Sequence, residues 1–340
     1  MSWLTLVAVG AAAAMTAIAV LLARPKIEPP RVVAALIGGA LATASTSAVG
    51  LAAGYDDAGF LISMSALAGA VAVPLFGLAL ASGASRRLGA AYALVWAALV
   101  LPVATVAPLA VAEATGRASS IQDFGGALGL VVSAAAYAFV SARRSPLRVT
   151  PGTAVGTPAL HIAAIAVFWI AFAVWLSALE GAIDEYVPRL FFAALLAPVG
   201  GGIGWLLVDR LRATGELPRR SVRFGVLAGV AAVMSCAAAI PLSAVPVVGF
   251  LAGAIAGLVH AGRRLRRARV AVRTAAAAMT AGATGLLASA IIGERAGFVA
   301  DANIQTLTTQ VAAFTAVVAW AAVIGLVMRF VLARTARLRP

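Results

Sequence analysis

Long runs of apolar residues, separated by short polar or Pro/Gly-rich breaks, dominate the sequence. Each run has about the 20 residues that an α-helix needs to cross the hydrocarbon core of a bilayer. The runs do not alternate between apolar and polar positions, as the strands of a membrane β-barrel do. The pattern therefore predicts an all-α polytopic membrane protein with eleven transmembrane helices, at about residues 2–23, 32–54, 62–83, 88–112, 123–142, 157–179, 187–208, 224–242, 245–262, 274–293 and 306–333.

The charged residues between these runs predict how the chain is oriented. No basic residue precedes the first run, whereas Arg24, Lys26 and Arg31 follow it, which favours an uncleaved span with its N-terminus outside. Cytoplasmic loops are enriched in Lys and Arg, so the C-terminus is predicted to be cytoplasmic. In this arrangement all but three of the 26 basic residues lie in inner loops or in the C-terminal tail, the exceptions being Arg117, Arg189 and Arg295.

Composition and charge narrow the class of protein further. Hydrophobic residues make up 63% of the 340 residues and charged residues 11%, whereas soluble domains have about 45–50% and 25%, so a soluble enzyme is excluded. The net charge of +14 is divided among short loops, so we do not expect nucleic acid as a partner, because nucleic-acid binding needs one basic patch. The longest loops have about fifteen residues, too few to fold alone. Residues 1–340 are therefore predicted to form a single transmembrane domain.

Asp123 is a candidate functional residue, because an ionisable side chain next to hydrocarbon is costly. It opens the fifth predicted span, in the segment IQDFGG. An Asp before an apolar run is commonly a helix N-cap, accepting hydrogen bonds from free backbone N–H groups. The same carboxylate at the mouth of a span is suited to a permeation vestibule, and the two roles are compatible.

The two histidines, His161 and His260, lie near the cytoplasmic ends of the sixth and ninth predicted spans. A histidine pair is able to relay protons or supply half of a metal site. The other interpretation is that each is an interfacial or locally satisfied residue. No third ligand has a metal-binding spacing, and the single Cys236 excludes a disulfide or a cysteine cluster within the chain. We therefore expect no metal and no cofactor.

Acidic and aromatic residues near the sixth predicted span have two interpretations each. Glu180, Asp184 and Glu185 lie in a predicted outer loop, where they either attract cations or are simply solvated. Trp169 and Trp175 belong to an aromatic face of the span, which indicates packing or an interfacial belt more than ligand stacking.

At Asp123-Phe124-Gly125-Gly126 the sequence resembles the ammonium transporter family (Amt/Mep/Rh), which has Asp-Phe-Ala-Gly-Gly at the start of its fifth span. The stretch GLALASGASRRLGAAYALVWAALVLP is similar to the family's third and fourth spans, IGWLLVDRL to the end of its seventh, and FGVLAGVAAVMSCAAAIPLSAVPVVGFLAGAIAGLVHAG to its eighth and ninth. The resemblance implies two inverted five-helix repeats around a narrow pore, at about 1–145 and 155–295. It also implies a C-terminal helix at about 306–335 and a homotrimer.

The resemblance also implies a set of pore residues, and there the chain departs from the family. The family's two pore histidines fall on Val131 and, approximately, on Ala278. Its outer phenylalanine gate falls near Leu67 and on Trp175. An ammonium ion must lose its water and a proton before crossing such a pore, and the imidazoles offer a path for that proton. The aliphatic side chains found here do not.

Hydroxyl groups near these positions are the remaining polar candidates. Ser133, Thr280 and Thr284 either compensate in part for the lost imidazoles or bond back to their own helices, as Ser and Thr in spans often do. The family's vestibule tryptophan and serine fall on Val111 and Leu179. Of the polar residues that the family shares, Asp123 remains.

These observations predict a membrane channel or transporter for ammonium, ammonia or another small solute, with an altered, hydrophobic pore. The alternative is a non-transporting scaffold, sensor or partner subunit of a membrane complex that keeps the fold, in which case another membrane protein subunit should co-purify. An enzyme is not expected, because acid and base groups are scarce within the spans. The expected location is the cytoplasmic (inner) membrane of a bacterium, with the lipid bilayer and copies of the chain as partners.

Overall fold

A computed structural model describes residues 2–23, 29–54, 57–81, 84–114, 116, 121–142, 158–212, 218–262, 265, 270–302 and 304–337. Its regular secondary structure is helical, and these residues contain no β-strand. The helices are α1 (Trp3–Ala23), α2 (Pro29–Ala52), α3 (Ala58–Ser65), α4 (Ala68–Ala81), α5 (Arg86–Val95), α6 (Leu101–Ala114), α7 (Ser133–Ser141), α8 (Pro158–Ala178), α9 (Tyr186–Arg212), α10 (Pro218–Cys236), α11 (Val245–His260), α12 (Val270–Ile292), α13 (Phe298–Asp301) and α14 (Gln305–Arg337).

The lengths and composition of these helices confirm a helical membrane protein. Within the described ranges, eight stretches are long and apolar enough to cross a bilayer: Trp3–Leu22, Pro29–Ala52, Ala58–Leu80, Arg86–Ala114, Tyr186–Arg212, Leu242–His260, Val270–Ile292 and Gln305–Arg334. Shorter apolar helices at Leu128–Ser141, Ile162–Ala178 and Ser221–Cys236 occupy the fifth, sixth and eighth predicted spans. The count of eleven spans, the inverted repeats and the orientation remain predictions.

The fifth predicted span begins later than its sequence indicates. It was predicted from residue 123, but residues 121–126 form a turn, and the helix starts at Ala127. Gly126 has φ +66°, a left-handed conformation that interrupts an α-helix and that glycine adopts without steric strain. A π-helical turn at Leu128–Val132 then leads into α7.

The third and fourth predicted spans are also irregular. The third is divided between α3 and α4, so that Leu67 lies in the break between Ser65 and Ala68. In the fourth, a π-helical turn at Trp96–Val100 joins α5 to α6. The Ser45 hydroxyl of α2 donates to the Ala97 carbonyl of this turn at 3.3 Å.

Glycine contacts pack α9 closely against α10 and α11. A Cβ atom added to Gly201 of α9 would collide with the Gly225 carbonyl oxygen of α10, and one added to Gly253 of α11 would collide with the Gly201 carbonyl oxygen. Such small residues let the backbones of membrane helices approach one another. The resulting three-helix block fixes α9, whose first turns carry part of the candidate site.

Candidate functional site

Two cavities lie at one end of the bundle, which we call the upper face: α1, α3 and α9 begin there, and α8 and α12 end there. The first, the α1–α8 cavity, has a volume of about 370 Å³ and lies between the starts of α1 and α3 and the end of α8. The second, the Asp123 cavity, has a volume of about 390 Å³ and lies against the turn at residues 121–124. Phe60 at the start of α3 lines both cavities.

Asp123 organises the wall of the Asp123 cavity. Its two carboxylate oxygens accept hydrogen bonds of 2.8 Å from the backbone N–H groups of Ala127 and Leu128, one each. These groups are in the first turn of a helix, where backbone donors have no helical partner. Asp123 thus caps the helix from across the glycine turn, rather than from the position next to it.

The turn that carries Asp123 is closely packed from both sides. The Gly125 N–H donates to the Met234 carbonyl oxygen of α10 at 2.6 Å. A Cβ on Gly125 would lie 2.9 Å from Leu176 Cδ1, and one on Gly126 would collide with the Met64 sulfur. Glycine is required at position 125, where a Cβ would also lie 2.8 Å from the Met234 backbone carbonyl oxygen, and is favoured at position 126 by the left-handed φ.

The opposite wall of the Asp123 cavity carries charged side chains. Arg189 of α9 donates from Nη2 to Glu294 Oε2 at 2.7 Å and to the Ile240 carbonyl oxygen at 2.6 Å. Arg295 donates from Nη2 to the Tyr186 hydroxyl at 2.7 Å. The formal charges of these side chains and of Asp123 cancel. These four side chains therefore give the cavity a polar lining with no net formal charge.

A buried apolar layer begins one helical turn inside the α1–α8 cavity. Leu179 and Ser63 line the cavity. Trp175, four residues before Leu179, has no exposed surface, and Leu67, four residues after Ser63, is 6% exposed. The Trp175 indole N–H donates to the Ser63 carbonyl oxygen at 2.8 Å. Phe172 packs against Trp175 with 5.9 Å between the ring centroids, so this layer is aromatic and aliphatic.

Val131 and Ala278, which the resemblance aligns with the family's two pore histidines (Ala278 approximately), lie on segments that contact each other. Val131 belongs to the π-helical turn before α7, and Ala278 belongs to α12. A Cβ on Gly282, one turn from Ala278, would lie 2.8 Å from Cγ2 of Val132. The π-helical turn and α12 are therefore in van der Waals contact near Val131 and Ala278.

The three candidate hydroxyls donate within their own helices. Thr280 bonds to the Ala276 carbonyl oxygen at 2.8 Å and Thr284 to that of Thr280 at 2.9 Å. Ser133 donates to the Gly129 carbonyl oxygen and accepts from the Trp96 indole N–H at 3.0 Å. Their hydrogens are thus engaged by backbone carbonyl groups.

The two histidines are not part of either cavity as the structure describes them. The His260 ring packs 5.4 Å from the Trp205 ring and 5.6 Å from the Phe224 ring, measured between centroids, at the end of α11 opposite the upper face. The side chain of His161 lies outside the described part of the chain. In the residues that are described, no three His, Cys, Asp or Glu side chains come together as a metal site.

Glu180 lies in the acidic loop after α8. Partial burial raises the pKa of Glu180, and the nearby charge of Asp184 raises it further. Asp184 itself accepts from the Tyr186 N–H at 2.9 Å and so supports the start of α9. Val111, which the resemblance aligns with the family's vestibule tryptophan, lies in α6.

Sequence reasoning missed a polar cluster behind Asp123, formed by Gln122, Ser289 and Gln310. The Gln310 Nε2 donates to the Gln122 carbonyl oxygen at 3.1 Å and is 3.4 Å from Ser289 Oγ. Gln310 is an amide in the apolar α14 and is 1% exposed. Its position in an apolar span was a usable signal, because buried polar groups in membrane helices are costly.

Comparisons with known proteins agree with the helical membrane fold. A sequence profile of the Ammonium Transporter Family matches residues 51–340. No curated protein sequence matches the chain. Among solved structures, Mep2 from Candida albicans is similar with a TM-score of 0.76 and 14% identity, over 99% of this chain and 84% of that one.

Two further structures have the same fold. Mep2 from Saccharomyces cerevisiae is similar with a TM-score of 0.70 and 15% identity, over 96% of this chain and 83% of that one. A structure described as "Sensor Amt Protein" has a TM-score of 0.68 and 13% identity, over 99% of this chain and 94% of that one. Identities this low establish similarity of fold alone. Since the profile covers most of the sequence, the chain belongs to the ammonium transporter family.

Proposed function

We propose that the protein is a membrane channel that conducts ammonia, or another small uncharged solute, through an apolar pore. The observation that carries the proposal is the apolar layer of Leu67, Phe172 and Trp175, one helical turn inside a cavity of the upper face. A cavity open to water above an apolar constriction suits a solute that is small and neutral when it crosses.

The electrostatics of the proposed pore argue against the crossing of an ion. Placing a charged side chain at the centre of a membrane costs about 2.5–3.5 kcal/mol or more, and an ammonium ion has the same difficulty when no group accepts its proton. Val131 and Ala278 have no such group. The hydroxyls of Thr280 and Thr284 donate to their own helix. The solute therefore leaves its proton on the side from which it enters.

In this proposal Leu67, Trp175, Val131 and Ala278 line the pore below the α1–α8 cavity. Asp123 lines the neighbouring Asp123 cavity and acts on the pore through the helix that it caps. The Asp123 carboxylate has both oxygens engaged by backbone N–H groups. Its role is then to hold the helix that carries Val131 in place, rather than to bind the solute directly.

We further propose that the protein is a homotrimer in the cytoplasmic membrane of a bacterium, with the upper face outside. Two inverted repeats, at about 1–145 and 155–295, would then surround each pore, followed by the C-terminal helix at about 306–335. The distribution of Lys and Arg supports this orientation.

Cysteine labelling tests the orientation. Because Cys236 is buried, cysteines introduced at Asp184 and Arg334 report on the two sides of the membrane. An impermeant thiol reagent should label the first in intact cells and spare the second. Light scattering of the purified protein gives the subunit number.

Two readouts in proteoliposomes test the proposed function. An inward gradient of ammonium or methylammonium should raise the internal pH faster than in empty liposomes, because the neutral amine binds a proton after entry. The same gradient on a solid-supported membrane should give no saturable current. Leu67→Trp should reduce the amine flux strongly by filling the apolar layer. Phe192→Trp is the matched control, because Phe192 is 52% exposed on α9 and should leave the flux unchanged.

The possible results separate the alternatives. A saturable current would contradict conduction of a neutral solute and indicate that the ion itself crosses. Folded protein without amine flux would contradict the channel and favour the non-transporting subunit, which should then co-purify with another membrane protein in a fixed ratio.

A further inference from the structure

Gln310 connects the last helix of the fold to the turn that carries Asp123. It lies in the second turn of α14 and is 1% exposed. Its Nε2 donates to the backbone carbonyl oxygen of Gln122 at 3.1 Å, across 188 positions of sequence. Ser289 of α12 lies beside this bond, with Oγ 3.4 Å from the same carbonyl oxygen and 3.4 Å from Gln310 Nε2.

The energetics of Gln310 indicate that it is not present for stability. Burying an amide group is unfavourable unless its hydrogen-bonding atoms are paired. Gln310 Oε1 is buried and has no hydrogen-bond partner among the described residues. A methionine of similar size would remove this unpaired atom but also the bond to the Gln122 carbonyl oxygen, so the two effects on stability oppose each other. The benefit of glutamine must therefore come from the bond that its Nε2 group makes.

That bond acts on a segment with little regular structure of its own. Residues 121–126 are not helical, and Gln122 directly precedes Asp123. From the other side the turn is held by the Gly125 N–H bond to Met234. Gln310 and Met234 thus hold the turn from α14 and from α10, and Asp123 reaches Ala127 and Leu128 from between these two attachments.

We propose that Gln310 is a positioning residue of the channel: by holding the Gln122 carbonyl group, it sets the place of the Asp123 carboxylate and of the cavity wall beside it. Gln122 lines the Asp123 cavity, whereas Gln310 does not, so Gln310 acts through its neighbour. The expected effect of Gln310 on amine flux rests on the proposed function. The expected effect on the structure of the turn at residues 121–126 is independent of it.

The test compares Gln310→Met with Thr309→Val in lipid nanodiscs and proteoliposomes. Thr309 is the neighbouring residue of α14, is 1% exposed, and donates within its own helix to Gln305 at 2.9 Å. Three quantities are measured: the melting temperature, amide hydrogen exchange in a peptide covering residues 121–130, and amine flux. For Gln310→Met we expect a melting temperature close to that of the wild type, because the removal of the unpaired Oε1 atom offsets the loss of the bond to the Gln122 carbonyl oxygen, which keeps the Ser289 hydroxyl at 3.4 Å. We also expect exchange in this peptide about fivefold faster, as the loss of one net hydrogen bond implies, and a reduced flux. Thr309→Val should leave exchange and flux unchanged.

A residue with a merely structural role would not combine a wild-type melting temperature with faster exchange confined to residues 121–130. A lower melting temperature with faster exchange throughout the chain would overturn the proposal and make Gln310 a packing residue. Unchanged exchange in residues 121–130 would overturn it as well. Ser289→Ala is the second variant: it removes the weaker contact and should increase the exchange less than Gln310→Met. If the wild-type protein has no amine flux, the proposed function fails, but the exchange comparison still decides the role of Gln310.

Discussion

The Trp175 indole N–H donates to the Ser63 carbonyl oxygen at 2.8 Å. The bond joins α8, near its end, to α3, near the break that separates α3 from α4. Because α3 ends at Ser65, the Ser63 carbonyl oxygen has no later helical N–H to accept from. Trp175 therefore supplies a donor that the interrupted helix cannot provide.

Trp175→Phe should destabilise the protein. It keeps an aromatic ring in the apolar layer but leaves the buried Ser63 carbonyl oxygen unpaired, which costs about 1–3 kcal/mol. Thermal unfolding in detergent measures the loss. Trp320→Phe is the control, because Trp320 also donates to a carbonyl oxygen, that of Leu99 at 3.0 Å, but on the outside of the bundle, where Leu99 is 51% exposed. Equal melting temperatures for the two variants would contradict the prediction.

Asp123→Asn should loosen the start of the fifth helix. The carboxylate holds two N–H groups with two oxygens, whereas an amide has one oxygen and places its NH₂ group against a donor. We expect a loss of about 1–3 kcal/mol in the free energy of unfolding and a lower amine flux. Asp57→Asn is the matched control, since exposed Asp57 accepts a single bond, from the Phe60 N–H at 2.9 Å. The prediction is wrong if both variants unfold at the wild-type temperature.

Gly201→Ala and Gly202→Ala should differ sharply, although the two glycines are adjacent in α9. A Cβ at Gly201 would collide with the Gly225 carbonyl oxygen, whereas one at Gly202 has its nearest atom, Val226 Cγ2, at 3.7 Å. Gly201→Ala must separate α9 from α10, and we expect a loss of about 1–3 kcal/mol or more. Gly202→Ala should be neutral, or stabilising by up to about 1 kcal/mol, because glycine is a poor helix former. Expression and the melting temperature in detergent are the measurements, and equal tolerance would show that this contact relaxes easily.

Glu180→Gln should stabilise the protein at neutral pH and not in acid. The pKa of Glu180 is raised by burial and by Asp184, so the folded state binds its proton more tightly than the unfolded state does. Stability is therefore lost as the pH rises through the raised pKa, and the glutamine variant avoids this loss. The melting temperatures should differ at pH 7 and converge near about pH 3.5, where the carboxyl group is protonated in both states. A difference that persists in acid would point to a lost contact rather than to a charge.

The sequence predicted the helices correctly where local pattern decides the structure. Apolar runs of span length became helices, and an Asp before such a run became a cap for it, because unpaired N–H groups at a helix start need an acceptor. The position of Asp123 relative to that helix was predicted less well. The prediction started the helix at residue 123, whereas Gly126 is left-handed and moves the start to Ala127.

The missed residues of the site have partners that are remote in the sequence. Arg189 pairs with Glu294, and Gln310 with the Gln122 carbonyl group. The sequence marked Gln310 only as a polar residue in an apolar run. Nothing in the local pattern indicates that α14 passes the turn before Asp123, because that depends on how all the helices pack.

What the sequence determined by itself is the membrane class and the approximate places of the helices, since hydrocarbon forces each backbone polar group to be paired within its own segment. Those bonds are local, so they can be read from local composition. What only the tertiary structure decided is which of the few polar groups meet: Trp175 with Ser63, Gln310 with Gln122, and the carboxylate of Asp123 with two amides across a glycine turn. These contacts depend on close packing between distant segments, and apolar helices of similar composition do not encode in their local sequence which neighbour each will have.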